Sequence, residues 1–250
     1  MIELDLAPNP AVDAALVDQA TDQPSDLSTD LAFDHGIVSR FNAWFFTAFA
    51  GYINHIARHH KQAAFETLDA DVVVEIGAGT GANFGYLAPG TRLCAVEPSL
   101  AMHDRLRSRA EAAGIDLTIL ATGAEAIPLP DASVDEVICS LVLCTVSDPH
   151  QVLAEVRRIL RPGGRFRFAE HVVAPRKGIR RAIQRILRRP WGCVFEGCHP
   201  GRDTVATIQS AGFETVRIER RRMRRSFFFP VNTAAWGVAV EGCDRARETA

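Results

Sequence analysis

The stretch Val72-Val73-Val74-Glu75-Ile76-Gly77-Ala78-Gly79-Thr80-Gly81 decides the fold. Its first five residues are a nearly unbroken β-branched run, which predicts a strand covered on both faces, the condition of a parallel sheet packed between helices. The glycines at 77, 79 and 81 let the backbone turn and approach a ligand closely, because no Cβ intervenes. In an open α/β sheet, ligands bind beyond the carboxyl ends of the strands, where the strand order reverses. The loop at 77–81 is therefore the expected binding corner.

Working outward, strands are predicted at Arg92–Val96, Leu117–Ala121, Glu136–Ser140, Phe166–Val173, Thr215–Ile218 and Ala234–Val240. Helices fall between them. One is capped by Ser99, carries Met102, Leu106 and Ala110 on one face and stops at Gly114. Another opens at Asp148-Pro149-His150-Gln151, where aspartate caps, proline takes the first turn and glutamine follows three residues after the cap. Pro162-Gly163-Gly164 stops it, and a further helix spans Asp203–Ser210. Alternating strands and helices imply a mostly parallel sheet with helices on both faces. The last two strands lack a helical connection, so they are expected to pair antiparallel.

Upstream, the uncharged stretch from Phe41 to Ala57 has apolar residues at helical spacing and four polar interruptions, which predicts an amphipathic helix lying on the domain rather than a membrane span. The division expected is an N-terminal extension with a lid helix over 1–60, its first 30 or so residues packing loosely, and a catalytic domain over 61–245.

Two carboxylates sharpen the reading of the glycine loop. Glu75 ends the first strand, where it repels a pyrophosphate and attracts a cation. Glu97 ends the second, where a carboxylate can accept a forked hydrogen bond from both ribose hydroxyls. Together they favour S-adenosylmethionine, a cationic sulfonium nucleoside, over an anionic dinucleotide. Ala124 and Glu125, after the third strand, are placed to hold adenine's exocyclic amine, and Ser140 and Leu141 close the fourth strand against the same ligand.

The chain of 250 residues has a net charge of −2, so nothing global points to nucleic acid. Its six cysteines form no CxxC pair, and an acidic start does not read as a signal peptide, so a reducing, cytoplasmic setting is expected. Cys193, Cys198 and His199 lie together, but no second ligand pair has zinc spacing, and no metal is expected. Two basic clusters stand out, 176–189 and 220–225. The first interleaves Ile179, Ala182, Ile183, Ile186 and Leu187. It reads as an amphipathic helix that packs by its apolar side and solvates its basic face, with peripheral contact to anionic lipid as the alternative.

The segments Glu75 to Phe84, Ala95-Val96-Glu97-Pro98, Cys139 to Val146, Arg161 to Gly164, Glu170-His171-Val172 and Gly197-Cys198 with Arg202-Asp203-Thr204 resemble the class I S-adenosylmethionine-dependent methyltransferases, and within them the alkyl-thiol S-methyltransferase branch. The resemblance covers about residues 70–240. It implies a Rossmann-like, seven-stranded, mostly parallel sheet with an antiparallel last strand. It also implies a cofactor site at Glu75, Gly77, Ala78, Gly79, Gly81, Asn83, Glu97, Pro98, Ala124, Glu125, Ser140 and Leu141, and a small thiol or dithiol as acceptor, in detoxification, self-protection or natural-product tailoring. O- or N-methylation of a metabolite or phospholipid headgroup, and a SAM-binding module without catalysis, are the competing readings.

Methyl transfer from a sulfonium needs alignment and exclusion of water more than a strong base. His171, ending the fifth strand beside Glu170, is the candidate to take a proton or hold a thiolate. Phe41, Trp44, Phe45 and Tyr52 from the lid, with Cys144, Cys198 and His199, are the candidate acceptor pocket.

Overall fold

The computed structural model describes residues 36–243 except 69, 71, 176, 177, 224 and 225. The expectation of a loosely packed first 30 residues falls outside them, as do the start of the first basic cluster and the end of the second. The elements run α1 (Ile37–Ala48), α2 (Ala50–Phe65), β1 (Val72–Ile76), β2 (Arg92–Val96), α3 (Leu100–Ala113), β3 (Asp116–Leu120), β4 (Val134–Ser140), α4 (Pro149–Ile159), β5 (Leu160–His171), α5 (Ile179–Val194), α6 (Thr204–Gln209), β6 (Thr215–Arg222) and β7 (Thr233–Val240). Single 3-10 turns occupy Phe84–Tyr86 and Phe229–Val231.

The seven strands lie in the order β3-β2-β1-β4-β5-β7-β6. The first five are parallel, and β7 runs antiparallel to both β5 and β6. Chain order reverses between β1 and β4, so a crevice opens there at the strand tips. Alternation along β1 sends Val74 and Ile76 into a core with α4 and α6, and Val73 into a second core with α2 and α3. Both faces of the sheet are covered, which is why β1 and β2 read as continuous apolar runs.

The capping signals act as their chemistry dictates at α4. The Asp148 carboxylate accepts from the backbone N–H of His150 and Gln151 at 2.8 and 3.3 Å, with Pro149 in the first turn. Ser99 differs. Its side chain makes no cap bond, and its backbone N–H donates to Glu97 Oε1 at 2.9 Å instead. α4 ends at Ile159, as expected, but the fifth strand starts earlier than the expected Phe166. β5 begins at Leu160, directly after α4, and carries Pro162-Gly163-Gly164 through a register shift against Val134 and Glu136. A bulge absorbs a proline and two glycines without ending the strand.

The lid is two helices rather than one, joined at Phe49. α2 continues past residue 60 to Phe65, where Ala64 and Phe65 enter the core. Its C-terminus is fastened to the sheet by Arg167, which is 3% exposed. That guanidinium donates to both oxygens of Glu136 (2.8 and 3.1 Å), to the carbonyls of Ala64 and Thr67 (3.2 and 2.9 Å) and to Thr67 Oγ1 (2.8 Å). One planar cation thereby satisfies a buried carboxylate and the orphan carbonyls of a helix end.

α5 corrects the expected packing of the basic segment. Its buried residue is Gln184, whose amide donates to Pro230 O at 2.8 Å and accepts from Ala174 N–H at 2.8 Å. Ile179 and Ile186 are 75% and 73% exposed. The helix docks along the Gln184 edge with Ile183 and Leu187 half-buried beside it, while Ile179, Ala182 and Ile186 face outward. No described helix is long and apolar enough to cross a membrane.

Arg167→Ala leaves the buried Glu136 to the part-exposed Arg165 alone, at 2.6 Å, and strips the Ala64 and Thr67 carbonyls of their donor, so it should destabilise the fold by about 2–4 kcal/mol. Urea denaturation measures it; an unchanged midpoint refutes the fastening role.

Candidate active site

A cavity of about 930 Å³ opens at the strand tips, between the glycine loop, the α1–α2 lid and the loops after β4, β5 and α5. Gly77, Ala78, Gly79, Asn83, Glu97, Pro98, Ala124, Glu125, Ser140 and Leu141 all line it. Glu75 and Gly81 do not. Gly77 and Gly79 have φ of +63° and +56°, the left-handed region that glycine tolerates. A Cβ at Gly77 would overlap the Val142 side chain, whereas at Gly79 it would meet nothing within 4 Å. Gly79 therefore keeps the cavity open to a ligand, and Gly77 keeps two loops in contact.

Glu97 builds the corner. Oε2 accepts from Gly79 N–H at 2.7 Å while Oε1 accepts from Ser99 N–H, so one carboxylate holds the glycine loop and the start of α3 together. Each oxygen retains a lone pair toward the cavity. Burial pushes the Glu97 carboxyl up to about 7, against the opposing pull of those two N–H groups.

Glu75 lies behind the loop, fully buried. Its Oε1 accepts from Asn83 Nδ2 at 2.6 Å, and burial raises its carboxyl to about 7, partly offset by Asn83 and by Lys61. The expected attraction of a cation by Glu75 is not made by contact with the cavity, which Asn83 and Lys61 line and Glu75 does not, and the Lys61 ammonium offsets part of its charge. Lys61, itself 2% exposed and pushed down to about 8 by burial, was missed in the sequence. Its signal was there: Ala57, Lys61, Ala64 and Phe65 share one helical face, and a lysine on a buried face needs a carboxylate. Glu125 lines the cavity, but its Oε1 already accepts from Ser147 N–H at 3.0 Å and Asp148 N–H at 3.4 Å. An amine held there would share this oxygen or use Oε2.

The far end of the cavity is built of sulfur and imidazole. Leu141, with φ of +62°, turns the chain sharply after β4. The turn aims the N–H groups of Val142 and Leu143 at Glu170 Oε1, at 3.0 and 3.3 Å, and carries Cys144 inward. His171 Nε2 lies 3.2 Å from Cys198 Sγ, Trp191 Nε1–H donates to that sulfur at 3.3 Å, and Cys144 Sγ faces it at 3.6 Å. His199 N–H, donating to Cys144 O at 2.8 Å, ties the two cysteine loops together. With the Cys144 thiol, His171 and Trp191 around it, the Cys198 thiol is held well below the ordinary thiol range despite burial, while Cys144 is held above it. Burial works to lower His171, but the Cys198 sulfur and the Glu170 carboxylate outweigh it and hold the imidazole above its usual value. Cys144, Cys198 and one nitrogen of His171 lie within 4.8 Å of one another, a set of ligand type.

Of the expected acceptor residues, Phe45, Cys144 and Cys198 line the cavity, as does His171. Phe41, Trp44, Tyr52 and His199 do not. Phe41 and Trp44 are 40% and 60% exposed, and Tyr52 donates its hydroxyl toward no pocket, its oxygen accepting from Phe227 N–H at 2.7 Å. The single-helix reading put all four aromatics on one inner face; the break at Phe49 turns Phe41 and Trp44 outward.

A family model described as a methyltransferase domain matches residues 74–168. Thiol S-methyltransferase TMT1B of Homo sapiens is 37% identical over 172 residues, 68% of this chain and 70% of that protein. The chain belongs to the thiol S-methyltransferase branch of the class I methyltransferases. The rat protein of the same name is 39% identical over 150 residues, 59% of this chain and 62% of its own length, so the match spans less than two thirds of that relative. In fold, a SAM-dependent methyltransferase of Thermotoga maritima superposes with a TM-score of 0.57 at 20% identity, over 82% of this chain and 99% of that one.

The branch's methyl donor fits the corner on structural grounds. Glu75 Oε2, Asn83 Oδ1 and Ser140 Oγ are buried without a hydrogen-bond partner among the described residues, and Gly79 leaves room beside them. Because the Glu75 and Glu97 carboxyls ionise near 7 in the free protein, affinity for cationic S-adenosylmethionine should fall as pH drops from about 8 to about 6, with proton release on binding. Glu97→Ala should weaken binding at least about tenfold. Calorimetry in buffers of different ionisation enthalpy reads both; pH-independent affinity with no proton release would contradict the charge reading.

Proposed function

We propose that this methyltransferase transfers the methyl group of S-adenosylmethionine to the sulfur of a small thiol or dithiol. The observation that carries the reading is the placement of the Cys144–His171–Cys198 cluster on the same cavity as the Glu97–Gly79 corner. The donor supplies a methyl group on a positively charged sulfur. Glu97 and the glycine loop hold the nucleoside end, while the Phe45 face of the lid excludes water from the acceptor end.

A thiol is a few per cent ionised at neutral pH, so its activation is a modest task. The imidazole of His171, held above its usual value, stabilises an incoming thiolate, whose proton passes to solvent. These soft, polarisable neighbours match a sulfur acceptor. Glu170 Oε1 is already taken up by the N–H groups of Val142 and Leu143, which leaves only its buried Oε2 open, so the sulfurs and His171 are the groups that favour one acceptor over another. Detoxification, self-protection and natural-product tailoring all require this reaction on a small thiol.

With labelled donor and a panel of thiols, phenols and amines, thioether products are expected. Methylation confined to phenols or amines overturns the thiol reading, and donor binding with no product from the whole panel favours a non-catalytic module. His171→Ala should lower kcat about a hundredfold while leaving donor affinity within about twofold; the reverse pattern makes the imidazole structural.

A further inference from the structure

We propose that Cys144, His171 and Cys198 form a mononuclear site for a soft divalent cation such as Zn²⁺, with its fourth position open to the cavity for the acceptor sulfur. In a tetrahedral zinc site with Zn–S of about 2.3 Å and Zn–N of about 2.0–2.1 Å, ligand atoms stand about 3.8 Å apart between sulfurs and about 3.5 Å between sulfur and nitrogen. Here the sulfurs are 3.6 Å apart and His171 Nε2 is 3.2 Å from Cys198 Sγ. Two edges of the donor triangle are thus close to those of such a polyhedron, and the third, from Cys144 Sγ to the His171 ring, lies within 4.8 Å. Two sulfurs, one imidazole and one open position is the ligand count of a catalytic site, not of a closed structural one.

The two cysteines have supports of the kind metal ligands need, while His171 Nδ1 is buried without a partner among the described residues. Trp191 Nε1–H donates to Cys198 Sγ, and the His199 N–H to Cys144 O bond fixes one ligand loop to the other. Binding the ion displaces the thiol protons of its ligands. An acceptor thiol then enters the open position as thiolate, its proton passing to solvent. Its sulfur forms a bond to the methyl carbon, the carbon–sulfonium bond breaks, and the electron pair stays on the donor's sulfur. The neutral thioether is a weaker ligand and departs. This purpose rests on the thiol reading above; the ion site itself does not.

Tag-free protein is loaded with Zn²⁺ or Co²⁺, and metal content and the cobalt spectrum are recorded. One ion per chain is expected, with thiolate-to-cobalt charge-transfer bands that persist in Cys243→Ser and fall at least about tenfold in affinity for Cys144→Ser and Cys198→Ser. A small thiol should shift the cobalt ligand-field bands. No stoichiometric ion in the folded wild type, or full retention in the Cys144→Ser/Cys198→Ser double variant with native circular dichroism, overturns the site. Thiol methylation by strictly metal-free protein overturns the catalytic purpose while leaving the thiol reading intact. Ion binding with a thiol-shifted spectrum but methylation of phenols or amines alone sinks the thiol reading while leaving the site.

A second observation carries an independent inference. The geometry points to α1 and α5 as a docking face for an anionic lipid bilayer. Over 179–194 there is no acid and there are five arginines, flanking an outward apolar stripe that includes Ile179 and Ile186. α1 adds Ile37 and Trp44, 86% and 60% exposed, and is joined to the end of α5 by Asn42 Nδ2 donating to Val194 O at 2.9 Å. Apolar groups flanked by arginine suit the headgroup boundary, where stem and stripe enter the acyl region and the guanidinium meets phosphate. The same two helices wall the cavity through Val38 and Trp191, so apolar acceptors dissolved in the bilayer would meet its mouth.

Flotation with phosphatidylglycerol–phosphatidylcholine vesicles should recover at least about ten times more protein than with phosphatidylcholine alone, with loss at high salt. The Ile179→Ser/Ile186→Ser/Trp44→Ser variant should abolish it. Equal partition into both vesicles, or a salt-stable dimer that the same variant dissolves, overturns this face as a lipid surface.

Discussion

The corner on which ligand binding depends is built around one carboxylate. Glu97 receives an N–H from the glycine loop after β1 and another from the start of α3, and Arg109 of α3 adds a bond to Thr80 O at 3.0 Å, so the loop and the helix are held together at both ends of this corner. A carboxylate buried at 6% exposure is costly unless hydrogen-bonded, and those two N–H groups are what make its burial tolerable. The same constraint explains Glu75 behind it. That carboxyl is compensated by Asn83 and Lys61, so the lid helix α2 is bound electrostatically to the sheet it covers. Charge burial at two strand tips thereby couples the loop, the lid and the cavity.

Much of this was legible because local chemistry and tertiary burial agree. The β-branched run at 72–76 is buried on both faces and reads as a strand from either requirement. Asp148 and Pro149 announce α4 because a cap is satisfied within three residues of itself. Where the determinant is non-local, the reading failed. β5 runs through Pro162 and Gly163 because a bulge against β4 and the partner β7 support it, neither visible in the segment itself. α5 was expected to bury its isoleucines, but the available polar partners at Pro230 and Ala174 capture Gln184 and leave Ile179 and Ile186 facing outward.

The acceptor end shows the same limit in sharper form. Cys144 and Cys198 are 54 positions apart, with His171 midway, so no spacing pattern relates them. They meet because three loops leave the same edge of the sheet: one turned by Leu141 after β4, one at the end of β5, and one pinned by His199 to the first. Sequence inspection names Cys144, His171 and Cys198 separately as candidates but cannot join them, and the neighbours Cys193, Cys198 and His199, where it expects no metal, do not form the cluster: Cys193 is exposed and His199 contributes its backbone rather than its ring.

The two ends of the cavity solve opposite electrostatic problems, and that opposition gives the chemistry its direction. At the donor end, carboxylates with raised pKa values and backbone N–H groups sit where positive charge is to be held. At the acceptor end, a low-pKa sulfur stands among N–H donors, where negative charge is to be held. In the proposed reaction, a cation at one end and a thiolate at the other attract across the cavity, which favours their approach. Transfer then annihilates both charges, leaving two neutral thioethers that neither end is built to retain. Release of product therefore follows from the same arrangement that binds the reactants, and needs no separate device.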